Sequence, residues 1–174
     1  MFVKNPKIRP YPLHGSFDVI YTLMDAIRPW IGLGLRVFIG GYFLYAALPK
    51  ISEPLAFATS IGHYGLMPYW MVNAYALIIP WLELLVGGCL VVGYRVRTNA
   101  VLAGIMLVMF TFAVTWAVVW GLQIDCGCFG ADNSETVSWE KVAKNCAFIA
   151  MCGYLWWKPV TALSLENGLW GRRA

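Results

Sequence analysis

The sequence predicts an all-α integral membrane protein: a four-helix bundle with a short N-terminal amphipathic helix lying in the membrane interface. Three observations predict it. Of the 174 residues, 60% are hydrophobic and only 13% are charged, against roughly 25% charged in a soluble domain. The apolar residues gather in runs of about the 20 residues that a helix needs to cross a bilayer. The Lys and Arg residues behind the net charge of +4 cluster at the ends of those runs. That is a topology signal and not the footprint of a nucleic-acid binder.

The N-terminal residues are polar and carry Pro6, Pro10 and Pro12. They lack the short apolar core and small-residue cleavage site of a secretory signal, so the first apolar run is expected to stay in the membrane. Within this segment Phe17, Ile20, Tyr21, Met24 and Ile27 recur at helical spacing, with Ser16 as a cap and Asp18 near the positive end. Pro29 interrupts the pattern. Residues 16–28 therefore read as an interfacial amphipathic helix, the alternative being an unstructured tail that runs into a longer first span.

Four spans follow: Ile27 to Leu48, Trp70 to Val92, Thr98 to Leu122 and Trp139 to Trp157. The fourth is the weakest, because Lys141, Lys144 and Asn145 fall in its first turns. Its long side chains are expected to reach back to the headgroups. Gly93 to Arg97 is too short a link for anything but antiparallel neighbours. The chain then divides into an N-terminal extension (1–26), a membrane domain (27–160) and a C-terminal tail (161–174).

Orientation follows from charge. Lys4, Lys7, Arg9 and Arg28 precede the first span, Arg95 and Arg97 lie in the second link, and Lys158, Arg172 and Arg173 follow the last span. Residues 123–138 hold no Lys or Arg, and the first link holds only Lys50. The positive-inside rule places both termini in the cytoplasm and these two poor links outside, with Lys141 and Lys144 counting weakly against it. In a bacterium this is a multi-pass protein of the inner membrane, N-in and C-in. Tyr69, Trp70, Trp139, Trp156 and Trp157 fall where interfacial aromatic belts are expected.

The chemistry-bearing residues are few. Asp125-Cys126-Gly127-Cys128-Phe129-Gly130 ends the third span. Facing an oxidising compartment, Cys126 and Cys128 are expected to be oxidised at rest, bonded to each other or one of them to Cys146. A Cys-x-Cys ring is strained and exchanges readily. It reads equally as a redox-active pair or as a static disulfide that shapes the link. A zinc site is the weaker reading, since His63 is the one histidine on that side and closed sites use four ligands. Cys89 and Cys152 read as small buried hydrophobes.

Arg36 and Glu83 are charges within spans, each costing several kcal/mol if it faced lipid, from about 2.5 upward. Arg36 lies about 14 Å up the first span and Glu83 about 20 Å down the second, at comparable depth. They are expected to pair, either as a lock between helices or for proton or quinone handling. Pro80, one turn before Glu83, is expected to loosen the backbone there. Lys50 and His63 are candidate site-lining residues.

The run from Arg36 to Lys50, R-V-F-I-G-G-Y-F-L-Y-A-A-L-P-K, is similar to the first helix of the DoxX-like superfamily, as is Pro80-Trp81-Leu82-Glu83 to the second. The Asp125–Gly130 string and Tyr64-Gly65-Leu66-Met67-Pro68 resemble the MauE, or methylamine-utilisation, branch. The resemblance spans residues 28–157. It implies a four-helix membrane protein that helps to mature periplasmic proteins, linked to production of the disulfide-rich methylamine dehydrogenase and to a thioredoxin-like partner. The residues that carry over are Arg36, Lys50, Glu83, Cys126 and Cys128. Ala46-Ala47 departs from the usual Ser or Ala followed by Gly, and the N-terminal extension is longer than the family core needs.

Two functions are therefore expected. One is a thiol–disulfide relay or maturation factor acting through Cys126 and Cys128, with a periplasmic thioredoxin-like protein or a disulfide-containing client as partner and a quinone as the conceivable cofactor. The other is a non-catalytic accessory subunit of a larger membrane complex, with the cysteines forming a structural disulfide. A transporter is disfavoured, because no internal repeat or pair of broken helices is visible.

Overall fold

A computed structural model describes residues 16–122, 124 and 136–158, with side chains from residue 27 onward. The described chain is helical: α1 (Ser16–Ser52), α2 (Pro54–His63), α3 (Tyr69–Val92), α4 (Val96–Val119) and α5 (Trp139–Trp157). Among the described residues, three segments are long and apolar enough to cross a membrane: Ile27–Ser52, Tyr69–Val92 and Val96–Val119. The fourth expected span, α5, has 19 residues and starts with Glu140, Lys141 and Lys144, which lower its apolar content.

Each helix turns one stripe inward. On α1 the buried residues Arg36, Ile39, Phe43, Ala46 and Lys50 recur every three or four positions. Val96, Ala100, Ala103 and Leu107 do the same on α4, and Val114 lies two turns further along the same stripe. Alternating steps of three and four make a continuous seam along a helix. The opposite faces are apolar too, with Ile78, Leu85, Ile105, Val108 and Phe112 exposed. Polar residues are instead found inside: Arg36, Lys50, Asn99 and Asn145 are buried. Apolar outside and polar within is the arrangement of a chain whose solvent is lipid.

Helix α1 runs antiparallel to α3, and their backbones touch where Gly40 meets Gly87. A Cβ added to Gly40 would fall 2.7 Å from the Gly87 carbonyl oxygen, and one added to Gly87 would fall 2.8 Å from that of Gly40. Only glycine admits so close a crossing. Helix α3 ends at Gly93, whose φ of 75° lets its N–H reach Leu90 and the Tyr94 N–H reach Cys89. These bonds satisfy the last carbonyls and reverse the chain at once. The buried Asn99 amide donates to the carbonyl of Tyr94 at 2.7 Å and so ties the link to α4. Helices α4 and α5 pack antiparallel, with the Arg97 guanidinium 5.6 Å from the centre of the Trp156 ring. Phe148 of α5 lies against Tyr42 of α1, centroids 4.5 Å apart, which closes the bundle.

Two expectations are corrected. The break at Pro29 does not occur: α1 is one helix of 37 residues with Pro29 inside it, so the 16–28 segment continues the first span and is not a separate helix. Proline costs one backbone hydrogen bond, yet its φ near −65° is itself helical. The first link, expected as a loop, contains α2, which starts on Pro54 and buries Phe57. Proline at a first helical position loses nothing, since its N–H would have no partner there.

Candidate functional site

The Glu83 carboxylate is closed by Lys50. The Lys50 Nζ lies 2.8 Å from both Oε1 and Oε2 and donates to each. The same ammonium sits 5.1 Å from the centre of the Phe57 ring. Three helices thus hold one charge: α1 supplies Lys50, α3 its counter-ion and α2 an aromatic face. Lys50 is 5% exposed, so the pair is largely withdrawn from solvent.

The pairing of Arg36 with Glu83 expected from depth is therefore wrong, and the register explains why. Counted from the Gly40–Gly87 crossing, Lys50 is level with Leu77 and Arg36 with Val91. Lys50 then lies about 9 Å along the axis from Glu83, and Arg36 about 12 Å. Direction matters as much as distance, because side chains lean toward the N-terminus of their own helix. In antiparallel helices Lys50 and Glu83 lean toward each other, while Arg36 and Glu83 lean apart. Arg36 is 1% exposed and has interactions of its own.

The ion pair stands between two chambers that share part of their lining. The larger, of about 490 Å³, is bounded by α2, α3 and α4, with Phe57, Tyr64, Tyr75 and Phe112 among its walls. The smaller, of about 50 Å³, is lined by Tyr42, Phe43, Ala46, Leu107 and Asn145. Lys50, Glu83, Met106 and Phe110 line both. The rim of the larger chamber includes Val108, Met109 and Phe112, which are exposed on the outer surface of the bundle. Burial pushes the Tyr64 hydroxyl up to about 12, so it stays neutral.

Asn145 is the site residue that sequence reasoning missed. Its side chain was expected to reach for the headgroups, but it is 6% exposed and faces inward. Its Nδ2 donates to nothing. The signal was present: Asn145, Ile149 and Cys152 recur at helical spacing and mark the inward face of α5.

The remaining candidates fall as follows. Cys126 and Cys128 lie outside the described residues. The link that carries them leaves α4 and rejoins α5 at the end of the bundle where α1 finishes, and the Val137 N–H donates to the Ile124 carbonyl at 3.2 Å. Cys146, the alternative partner for one of them, is exposed with a free thiol; it faces out because its neighbour Asn145 faces in. His63 is exposed at the end of α2 and does not line the chambers around Lys50, since Tyr64 takes the inward position. Cys89 and Cys152 are free thiols, and Cys152 is buried in the core.

Fold and site together define an α-helical membrane protein with a lysine–glutamate pair sealed between its helices beside an apolar cavity. The family model described as methylamine utilisation protein MauE matches residues 28–158, and the chain belongs to that family. It is 34% identical over 135 residues to methylamine utilization protein MauE of Methylorubrum extorquens, covering 76% of this chain and 73% of that one. It is 32% identical over 144 residues to MauE of Paracoccus denitrificans, with 82% and 72% covered. With MauE of Paracoccus versutus the identity is 33% over 125 residues, covering 71% and 67%. No solved structure matches the chain.

Proposed function

We propose that this MauE-family protein is a membrane maturation factor for a periplasmic redox protein of methylamine utilisation, and that it works as a thiol–disulfide relay. Two thiols of the client, or of a thioredoxin-like protein that serves it, are oxidised to a disulfide. Their two electrons and two protons pass to the Cys126–Cys128 disulfide, which becomes a dithiol. A strained short ring favours that direction.

The observation that supports this reading is positional. The link bearing the Cys-Gly-Cys string joins the ends of α4 and α5 at the same end of the bundle as Lys50 and α2. Both termini and the Arg95 link then face the cytoplasm, and that end faces the periplasm. The names of the relatives, methylamine utilization protein MauE, supply the pathway.

The test is replacement of Cys126 or Cys128 by Ser, with the thiols of the client trapped by alkylation. A relay predicts reduced client at normal abundance of this protein. If the variants instead lower the amount of this protein or its complex while the client is oxidised normally, the cysteines are structural and the chain is an accessory subunit.

A further inference from the structure

Asn145 and Lys50 end in polar atoms at the wall of one small chamber, and the Asn145 amide nitrogen is buried without a partner. A buried amide donor left unpaired is costly, because its lost hydration is not replaced. Groups of that kind persist where something accepts from them. Lys50 has three N–H donors and Glu83 offers it two oxygens, so a third donor is left for the same chamber. The charge there is balanced, one ammonium against one carboxylate. Such a wall favours a neutral acceptor oxygen and disfavours a lipid phosphate, which Glu83 would repel.

The rest of the cavity says what that oxygen is attached to. On the other side of the ion pair lies the larger chamber, about 490 Å³ between mainly apolar and aromatic side chains, within the range of about 300–1,000 Å³ usual for small-molecule sites. Met106 and Phe110 are common to the linings of both chambers. The mouth is framed by Val108, Met109 and Phe112 on a surface that faces lipid. A ligand that arrives through the bilayer, with a flat apolar body and a carbonyl oxygen at its head, satisfies every wall.

We propose that Lys50, Glu83 and Asn145 form the polar end of a quinone-binding site, with the ring against Met106 and Phe110 and the tail leaving past α4. The assignment rests on the relay reading for its purpose. The Cys126–Cys128 dithiol is reoxidised when its two S–H bonds break and the S–S bond forms. The two electrons and two protons convert the two quinone carbonyls to hydroxyls.

Binding is separable from the relay. The full-length C126S/C128S protein in lipid nanodiscs cannot exchange electrons through that pair, so titration with decylubiquinone reads the site alone. Saturable binding of one decylubiquinone per chain is expected, and decylbenzene, which lacks the carbonyls, should not compete. Asn145→Leu should weaken binding about threefold to tenfold, the worth of one hydrogen bond. Ala113→Trp, which fills the wide chamber, should abolish it. A photoreactive azidoquinone should label the Met106–Ala113 stretch of the otherwise unaltered chain, which needs no substitution. Equal competition by decylbenzene, undiminished binding by Asn145→Leu, or labelling elsewhere would overturn the site. If binding stands but the client is still oxidised in quinone-depleted cells, the site is upheld and the relay to quinone falls.

Discussion

Gly40 and Gly87 face each other across the α1–α3 crossing, each standing where a side chain would strike the backbone oxygen of the other. This contact sets the axial register of the two helices. Through the register it decides which of two basic residues meets Glu83. A substitution here is therefore felt at the site without touching it.

Gly40→Ala should destabilise the bundle by about 1–3 kcal/mol, the usual cost of overpacking. Unfolding of the reconstituted protein by denaturing detergent measures this. Gly41→Ala is the control, since a Cβ there meets nothing within 4 Å, and it should be silent.

Lys50→Met should leave the Glu83 carboxylate buried without its counter-ion, and Glu83→Gln should do the same to the Lys50 ammonium. Breaking one side of a buried pair costs about 3–5 kcal/mol. The double variant Lys50→Met/Glu83→Met should recover much of that loss, since no charge is then stranded. A double variant whose loss equals the sum of the two single losses would show that the two side chains are not coupled. Arg36→Met should not be rescued by Glu83→Gln, because those two side chains are not partners.

Tyr64 gives an alkaline signature. Burial holds its hydroxyl up to about 12 in the fold, while an unfolded tyrosine ionises near 10. Below about pH 10 both states keep the proton and this group adds no pH dependence. Between about pH 10 and 12 the unfolded chain releases it first, so stability falls as pH rises. Tyr64→Phe should lose part of that slope in detergent-unfolding curves taken across this window.

Both termini and the Arg95 link are expected in the cytoplasm. A cysteine introduced at Thr98 in a variant lacking the native cysteines should react with an impermeant maleimide only after the membrane is opened. Labelling in intact cells would reverse the orientation and remove the oxidising surroundings argued for Cys126 and Cys128.

Much of the fold was legible because bilayer thickness forces long apolar runs, and such runs can be read directly. The span ends at Val92 and Trp157 are where the sequence puts them. The short α2 was not legible: 10 residues after a proline give too little periodicity to separate a helix from a loop. Arg36, Lys50 and Glu83 were each visible as charges in apolar surroundings, but not their pairing. Depth counted from span ends ignores both the glycine crossing and the lean of the side chains. Asn145 was hidden by its neighbours Lys141 and Lys144, which made its turn look like a surface. Cys126 and Cys128 lie outside the described residues.

Helix α1 has 37 residues and so measures about 56 Å, against a hydrocarbon layer of about 30 Å. Tilting cannot absorb the difference, since membrane helices lean by about 20° on average. Its Ser16 end must project well beyond the layer on the side opposite Lys50. The projection belongs to the same hydrogen-bonded rod that carries Lys50 near its far end. Anything that grips the rod outside the bilayer pulls on an element that also seats the ion pair, so a push on one side of the membrane has a mechanical path to the other.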